Sequence, residues 1–356
     1  MLHNESSCVH SPRTFRMSLL LTQQRNNNTD ITMARAERFT ERVQQLRAQY
    51  ECLRDRSNLF GPSSKPIIDI LTERVDGQDI ESFLLRDDAL VQFIRLFDKP
   101  HTSSGDILRL NQNLPDISGS FEIDSDAVRH IDNPPPLPEY DDDTEDMTSA
   151  LASLPTIQVD PSKHHIKRGK HKSEIDNLLR CQGGSCPGSP ISPHITHLLG
   201  KSTTNELVFK KLAPRYLILH RFCSLQVYKQ WMIDLVTAVK ALHAHGIVHR
   251  DLHIENLLFS NDGQRLVVAD LECRWGLRWA PEIVCDDGND SGWTRKSDIC
   301  DVGTCIQCLI YANVPVTRQV EWAVPAPFDG LVGMCKRSDP EGQPSAGQLL
   351  DLLEGM

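Results

Sequence analysis

The sequence predicts a mixed α+β fold in the second half of the chain, with short strands ahead of a mainly helical region. Apolar residues at helical spacing mark one face of a long helix: Trp231, Leu235, Ala238, Val239 and Leu242. A turn sequence at 261–263 then separates apolar runs at 257–259 and 266–269, which predicts a β-hairpin. Runs that end at Lys167 and Phe209 predict strands upstream of this helix.

The composition bounds the class of protein. Of the 356 residues, 39% are apolar and 24% charged, which suits one large domain with additional segments. The net charge of −10 argues against a nucleic-acid partner. No apolar run reaches membrane-spanning length, and residues 19–21 are too short for a signal-peptide core, so we expect no membrane partner and a cytoplasmic or nuclear location. The 11 cysteines lack disulfide-module spacing, which indicates a reducing compartment.

The first third of the chain is expected to be disordered and then helical. Residues 1–32 are polar and aperiodic, which is typical of disorder. Residues 33–97 are predicted to form a helical N-terminal region, with a second helix over about 67–97. The first helix carries an apolar stripe at Phe39, Val43, Leu46, Tyr50 and Leu53. This stripe can pack on its own domain or bind a partner helix through residues 36–53, and its two heptads favour the former.

Residues 98–156 are predicted to be a proline-rich and acidic linker. The run at 134–138 is stiff and extended, and residues 139–146 carry six carboxylates. Such a segment buries too little apolar surface to fold alone, although its proline run can also dock a partner. A folded domain is expected from about residue 157 to residue 356.

Three polar residues have the spacing that phosphoryl transfer needs. Asp251 is followed five residues later by Asn256, and Asp270 comes after the predicted hairpin. One carboxylate can orient an attacking hydroxyl and accept its proton. An amide oxygen and a second carboxylate can hold Mg²⁺ against nucleotide phosphates, where the ion offsets negative charge.

The surrounding motifs resemble those of a known family. The string H-R-D-L-x-x-x-N at 249–256 resembles the catalytic loop of eukaryotic protein kinases, with every fixed position filled. Further matches follow in chain order: A-P-E at 280–282, D-x-x-x-x-G at 298–303 and a final-subdomain pattern at 344–350. Residues 271–276 also resemble a divergent group of fungal-type kinases. The resemblance implies a two-lobed protein kinase-like fold, with a reduced, β-rich N-lobe and a helical C-lobe.

The resemblance also implies roles for the catalytic loop. Asp251 would be the general base, held in a loop with His249 and Arg250. His253 replaces the lysine that usually supports the γ-phosphate, and it is a weaker cation near neutral pH. The implied substrate is a protein hydroxyl, in a Ser/Thr-directed reaction.

ATP and Mg²⁺ are the implied cofactors. Lys167 and Glu174 would contact the nucleotide, and Asn256 and Asp270 would hold the metal. Glu272 can be an additional metal ligand or a solvated charge. Because Lys167 and Glu174 are close in sequence for such a pair, Lys163 and Lys170 stay open as alternatives for the nucleotide lysine.

Two departures bear on activity. No G-x-G-x-x-G loop precedes Lys167, and the magnesium motif is Asp-Leu-Glu at 270–272 rather than Asp-Phe-Gly. Three functions therefore compete: a protein kinase, a pseudokinase that binds or scaffolds, and a small-molecule phosphotransferase. The last is considered because 251–253 and 270–272 also resemble aminoglycoside and choline kinase motifs.

The segment between the metal motif and A-P-E predicts its own regulation. Residues 271–280 contain no Ser, Thr or Tyr, so phosphorylation there is excluded. We expect the segment to be ordered without modification, with Arg250 paired to Glu272 or a neighbouring carboxylate. Gln343 stands where an arginine usually pairs with Glu282, and Lys336 or Arg337 can substitute.

Overall fold

The structure is a computed structural model that describes most of the chain. The described residues are 33–49, 52, 59, 63–75, 78–88, 90–99, 102–108, 114–137, 143–186, 188–274, 276, 280–284, 291–311 and 324–356. The disorder predicted for residues 1–32 lies outside this part. Within it, no helix combines the length and the apolar character needed to cross a membrane.

The first helix, α1 (residues 33–49), packs on the core of the main domain. Its apolar stripe at Phe39, Val43 and Leu46 is at most 1% exposed. The Phe39 ring meets the rings of Tyr228 and Phe328 edge-on, each at a centroid distance of 5.5 Å. The favoured prediction of packing on the same domain agrees with these contacts, and a partner helix on this face is wrong because the face is already covered. Tyr50 and Leu53 lie outside the described residues.

Removing the Phe39 ring is expected to destabilise the main domain. The Phe39→Ala change should lower the free energy of unfolding by about 3–5 kcal/mol, since it leaves a cavity between α5 (Leu225–Ala244) and Phe328. Urea denaturation measures this loss. Met33→Ala is the matched control, because Met33 is on the same helix and 53% exposed. Equal effects of both changes would contradict the packing.

A five-stranded sheet follows α1. Its strands are β1 (Ile67–Val75), β2 (Gln78–Asp87), β3 (Leu90–Phe97), β4 (Phe121–Asp124) and β5 (Ala127–His130), hydrogen-bonded in that order. Only the β3–β4 pair is parallel among these neighbours. One face has its own small core, which includes Phe83, Leu85, Ile94, Leu96 and Phe121.

The predicted second helix over 67–97 is therefore wrong. Apolar residues occur on both faces of the central strands, where Phe83 and Leu84, like Phe93 and Ile94, point to opposite sides and are all buried. Strands buried on both faces lose the alternating pattern, and their apolar runs resemble a buried helix. The linker prediction for 98–156 is also wrong in part, because β4, β5 and a helical turn at Ser103–Ile107 lie within it.

The main domain begins with a small strand-rich lobe. It contains α2 (Thr148–Ala152), β6 (His164–Lys167), α3 (Lys172–Cys181), β7 (Leu198–Lys201) and β8 (Leu207–Lys210). The three strands are antiparallel in the order β6-β8-β7. The buried face of α3, formed by Glu174, Ile175, Leu178 and Cys181, directs one carboxylate inward among apolar residues.

The second lobe is mainly helical. It contains β9 (Ala213–Pro214), α4 (Arg215–Ile218), α5, β10 (Leu257–Phe259), β11 (Leu266–Val268), α6 (Arg295–Ile310), α7 (Asp329–Cys335) and α8 (Ala346–Glu354). Trp231 on α5 is fully buried and donates from its indole to the carbonyl of Gly263 at 2.9 Å, which fixes the β10–β11 turn. The predicted α+β class, with its β-rich and helical lobes, is confirmed.

Candidate active site

The loop after α5 is anchored by one buried carboxylate. Asp298, in the first turn of α6, is fully buried. Its two oxygens accept the backbone N–H groups of His249 and Arg250, each at 2.9 Å. The ring of His243 on α5 lies 2.8 Å from the same carboxylate. The Asp298 side chain thus connects the loop that contains His249 and Arg250 to both α5 and α6.

Two residues of the site have left-handed backbone conformations. Arg250 has φ +69° and Asp270 has φ +62°, and neither is a glycine. Such conformations cost about 1–3 kcal/mol each and persist where the surrounding contacts impose them. Here the contacts are visible: Asp298 holds Arg250, while Ala269 donates its N–H to the carbonyl of Asn256 at 2.9 Å. The candidate site therefore contains two strained residues, Arg250 in the loop after α5 and Asp270 after β11.

Asp251, His253 and Asn256 form a connected group. The Asn256 amide donates to the backbone carbonyl of Asp251 at 2.8 Å and lies 3.4 Å from its carboxylate. The His253 Nε2 atom is 3.3 Å from that carboxylate. Burial favours the neutral acid, but the hydrogen bond and charge of His253 outweigh it, so the pKa of Asp251 is lowered from its ordinary value. Asp251 is therefore an ionised carboxylate near neutral pH.

Lys167 lies between three carboxylates. Its Nζ atom is 2.8 Å from Asp270, 3.0 Å from Glu174 and 3.3 Å from Glu272. Desolvation alone would lower the pKa of Lys167, but the charges of Glu174 and Asp270 reverse this, and the net shift is upward. The lysine is thus a fixed positive charge in the site.

One ammonium does not neutralise three acids. Burial, together with the charges of Asp270 and Glu272, raises the pKa of Glu174 to about 7 despite the opposing effect of Lys167. The Oε2 atom of Glu174 is buried and has no hydrogen-bond partner among the described residues. Glu174, Asp270 and Glu272 each offer an oxygen within 4.8 Å of the others, a spacing that suits a metal ion.

The three candidate lysines differ in position. Lys167 ends β6, and α3 begins only five residues later at Lys172, so the chain turns back and brings Glu174 to Lys167. Lys163 instead pairs with Asp160 at 3.3 Å, and both Lys163 and Lys170 are exposed. The structure thus brings together Lys167 and Glu174, for which the short spacing had left the choice open.

Arg250 does not make the predicted ion pair. Its guanidinium lies 5.7 Å from the centre of the Trp293 ring, and within the described residues no carboxylate pairs with it. Glu272 is held on the other side of the site, by Lys167 and by a 2.9 Å hydrogen bond from the Ser173 hydroxyl to its carbonyl. The predicted Arg250–Glu272 pair is wrong because the Glu272 carboxylate is paired with Lys167 instead. The predicted order of segment 271–280 falls partly outside the described residues.

The Glu282 carboxylate accepts a hydrogen bond from a hydroxyl group. The Thr294 side chain donates to it at 3.0 Å, and Thr294 also caps α6. Arg337, a suggested substitute partner, donates to the carbonyl of Gly342 at 2.7 Å, and Lys336, the other, donates to Gln307 at 2.9 Å. The A-P-E segment is thereby connected to the helix that also holds the catalytic loop.

The sequence analysis missed Glu145. Its carboxylate accepts the N–H of Lys172 at 2.9 Å and forms an ion pair with Arg274. The acidic run that contains it was interpreted as linker, so its charges were not assigned a partner. The signal in the sequence that could have revealed Glu145 was the positive charge of Arg274, which needs an acidic partner.

Comparisons with known proteins agree with this geometry. A family model described as "Protein kinase domain" matches residues 202–274. The serine/threonine-protein kinase ksp1 of Schizosaccharomyces pombe is 34% identical over 109 residues, which are 26% of this chain and 23% of that protein. The serine/threonine/tyrosine-protein kinase HT1 of Arabidopsis thaliana is 26% identical over 201 residues, 48% of each chain.

The residues that the family model matches include the loop at 249–256 and the Asp-Leu-Glu motif at 270–272, whose geometry is described above. The family model and these relatives thus support membership of the protein kinase-like superfamily. It spans less than half the length of these two relatives.

Proposed function

We propose that the chain is an ATP- and Mg²⁺-dependent protein kinase that transfers a phosphoryl group to serine or threonine hydroxyls of a protein. The observation that carries the proposal is the contact of Lys167 with both Glu174 and Asp270, at 3.0 and 2.8 Å. This arrangement places a cation where phosphates need one and a metal-binding carboxylate beside it. The kinase names of the relatives support the same class of reaction and acceptor.

The residues divide the work of the reaction. Asp251, ionised and held by Asn256, orients the acceptor hydroxyl and takes its proton as the oxygen attacks. Glu174 holds Lys167 in place for the nucleotide phosphates. His249, whose Nε2 lies 3.0 Å from the Ala269 carbonyl, connects the loop to the backbone beside Asp270. When bound, Mg²⁺·ATP supplies the phosphoryl group, and the metal offsets the charge on the phosphate oxygens.

The donor set fits a magnesium ion. Asp270 and Asn256 offer carboxylate and amide oxygens, which are the ligands that hard divalent cations prefer. Glu272 adds a carboxylate oxygen within 4.8 Å of a carboxylate oxygen of Asp270. We therefore assign Asn256 and Asp270 as metal ligands, with Glu272 as an additional ligand. The buried Oε2 atom of Glu174, which has no hydrogen-bond partner among the described residues, is a further oxygen that a bound cation would neutralise.

A pseudokinase is the second candidate. Within described residues 143–167, the segment ahead of Lys167 contains α2 and turns but no β-hairpin that would cover phosphates. Glu272 also competes with nucleotide phosphates for Lys167 at 3.3 Å. Both features weaken nucleotide binding without removing the catalytic residues.

A thermal-shift titration tests the proposal. Mg²⁺·ATP should stabilise the wild-type chain, by about 2.7 kcal/mol at a concentration one hundred times Kd, because it binds only the folded state. The Asp270→Asn variant should require more nucleotide for the same shift, while ATP without metal should stabilise little. No shift at millimolar Mg²⁺·ATP would favour the pseudokinase.

The acceptor class needs a second measurement. The wild type should transfer the γ-phosphoryl group to serine and threonine in a degenerate peptide library. Transfer to aminoglycosides or choline alone would identify a small-molecule phosphotransferase and overturn the protein-kinase proposal.

A further inference from the structure

Glu145 caps helix α3 from a distant part of the chain. The N-cap residue of α3, His171, makes no capping hydrogen bond with its side chain. The Glu145 Oε2 atom instead accepts the N–H of Lys172 at 2.9 Å, and the Glu145 N–H donates to the carbonyl of Lys170 at 2.9 Å. A carboxylate at this end of a helix also interacts favourably with the helix dipole. The acidic segment at 143–146 is therefore attached to α3.

The other oxygen of the same carboxylate binds the segment after the metal motif. Arg274 donates from Nη1 to Oε1 of Glu145, and the two side chains form an ion pair. A single side chain thus connects the first turn of α3 with residues 271–274. Charge-assisted hydrogen bonds of this kind are stronger than neutral ones and fix the relative positions of the groups that they join.

Helix α3 is in turn bonded to the metal motif. Its Ser173 hydroxyl donates to the carbonyl of Glu272 at 2.9 Å, and its Asn177 amide donates to the carbonyl of Leu271 at 2.9 Å. Glu174, between these two residues, faces Lys167. The position of α3 therefore sets both the Lys167–Glu174 pair and the backbone next to Asp270.

An apolar anchor fixes the acidic segment. Met147, two residues after Glu145, is only 7% exposed and belongs to the main core. Its Cε atom lies 3.3 Å from the position that a Cβ on Gly169 would occupy, so it packs against the loop between β6 and α3. The Glu145 carboxylate is consequently held over α3 and Arg274 by buried contacts on its C-terminal side.

In kinases that are switched on by phosphorylation, an added phosphate orders the activation loop by pairing with arginine. Residues 271–280 have no hydroxyl that can carry one. We infer that Glu145 is a positioning residue for phosphoryl transfer: it holds α3 and the segment at 271–274 in the arrangement that places Glu174 against Lys167. This inference rests on the proposed kinase function and adds a residue from outside the motif-bearing region.

Steady-state kinetics on three variants of the full chain test the inference. Glu145→Gln and Arg274→Gln remove the two charges singly, and the double variant removes both. Each should lower kcat by about 10- to 100-fold, since small displacements of catalytic groups have effects of that size. The double variant should lose no more than the worse single variant, because both act through one contact. KM for the peptide library should stay within about twofold.

Asp146→Asn is the matched control. It changes the adjacent charge by the same amount, but its carboxylate binds the N–H of Thr148 rather than α3. This variant should keep wild-type kcat. The thermal midpoints of all variants are measured as well, and a loss of kcat that merely follows the loss of folded protein would overturn the inference.

Hydrogen exchange separates this inference from the kinase proposal. Glu145→Gln should speed exchange of the amides at 172–175 and at 271–274 together, while Asp146→Asn should leave both unchanged. This readout needs no activity, so it decides the inference even if the wild type transfers no phosphate. Unchanged exchange at either segment in Glu145→Gln would overturn it.

Discussion

Replacing Asp251 by alanine is expected to lower turnover by about 10²–10⁴-fold while leaving Mg²⁺·ATP binding largely intact. The Asp251 carboxylate is the proposed proton acceptor, and His253 at 3.3 Å keeps it ionised. The nucleotide contacts are assigned to Lys167 and the metal contacts to Asn256 and Asp270, so binding should persist. Phosphate transfer to the peptide library and the ATP thermal shift measure the two quantities separately.

Asp351→Ala is a suitable control for this prediction. Asp351 lies on α8 and is exposed, and its loss removes the same charge. It should keep wild-type turnover. If Asp251→Ala also keeps turnover above about one tenth of the wild type, Asp251 is not a general base of the expected strength.

The Asp298→Ala change is expected to destabilise the protein strongly. Removing a buried carboxylate that accepts two backbone N–H groups and contacts His243 leaves all three without their partner. Breaking buried charged networks of this kind costs about 3–5 kcal/mol. Chemical denaturation should show that loss, and catalysis should fall as well because Arg250 would no longer be held in its strained conformation.

The Asp298→Asn variant separates the loss of the charge from the loss of the hydrogen-bond acceptor. Asparagine keeps one acceptor oxygen, so the loss of stability should be smaller than for alanine. A loss within about 0.5 kcal/mol for both variants, the range of ordinary surface changes, would mean that the loop is held by other contacts.

The contacts within the loop at 249–256 were predictable because they are local in sequence. Asp251 and Asn256 are five residues apart, and their contact at 3.4 Å needs only the loop itself. The Lys167–Glu174 contact was harder to assign, since it depends on a tight turn between β6 and α3 that spacing alone does not determine. The helical interpretation of 67–97 failed for another reason: strands buried on both faces erase the two-residue alternation on which strand prediction depends.

Long-range electrostatics explain the remaining errors. Arg250 was expected to bind Glu272, yet Lys167 and Ser173 hold that residue, and the guanidinium stacks near Trp293 instead. Glu145 was overlooked because its partner Arg274 is 129 residues away. From the sequence alone, the acidic run that contains Glu145 has no partner nearby and is interpreted as solvated, whereas the fold brings Arg274 to it.

The docking of α1 has a consequence for synthesis of the protein on the ribosome. Arg47 on α1 binds the hydroxyl of Tyr228 at 2.7 Å, across a sequence separation of 181 residues. At about 5–20 residues per second, Tyr228 is made roughly 10–35 s after Arg47. During that interval the stripe at Phe39, Val43 and Leu46 has not yet met its binding surface on α5. The nascent chain therefore exposes this apolar stripe early and can bury it only late in synthesis.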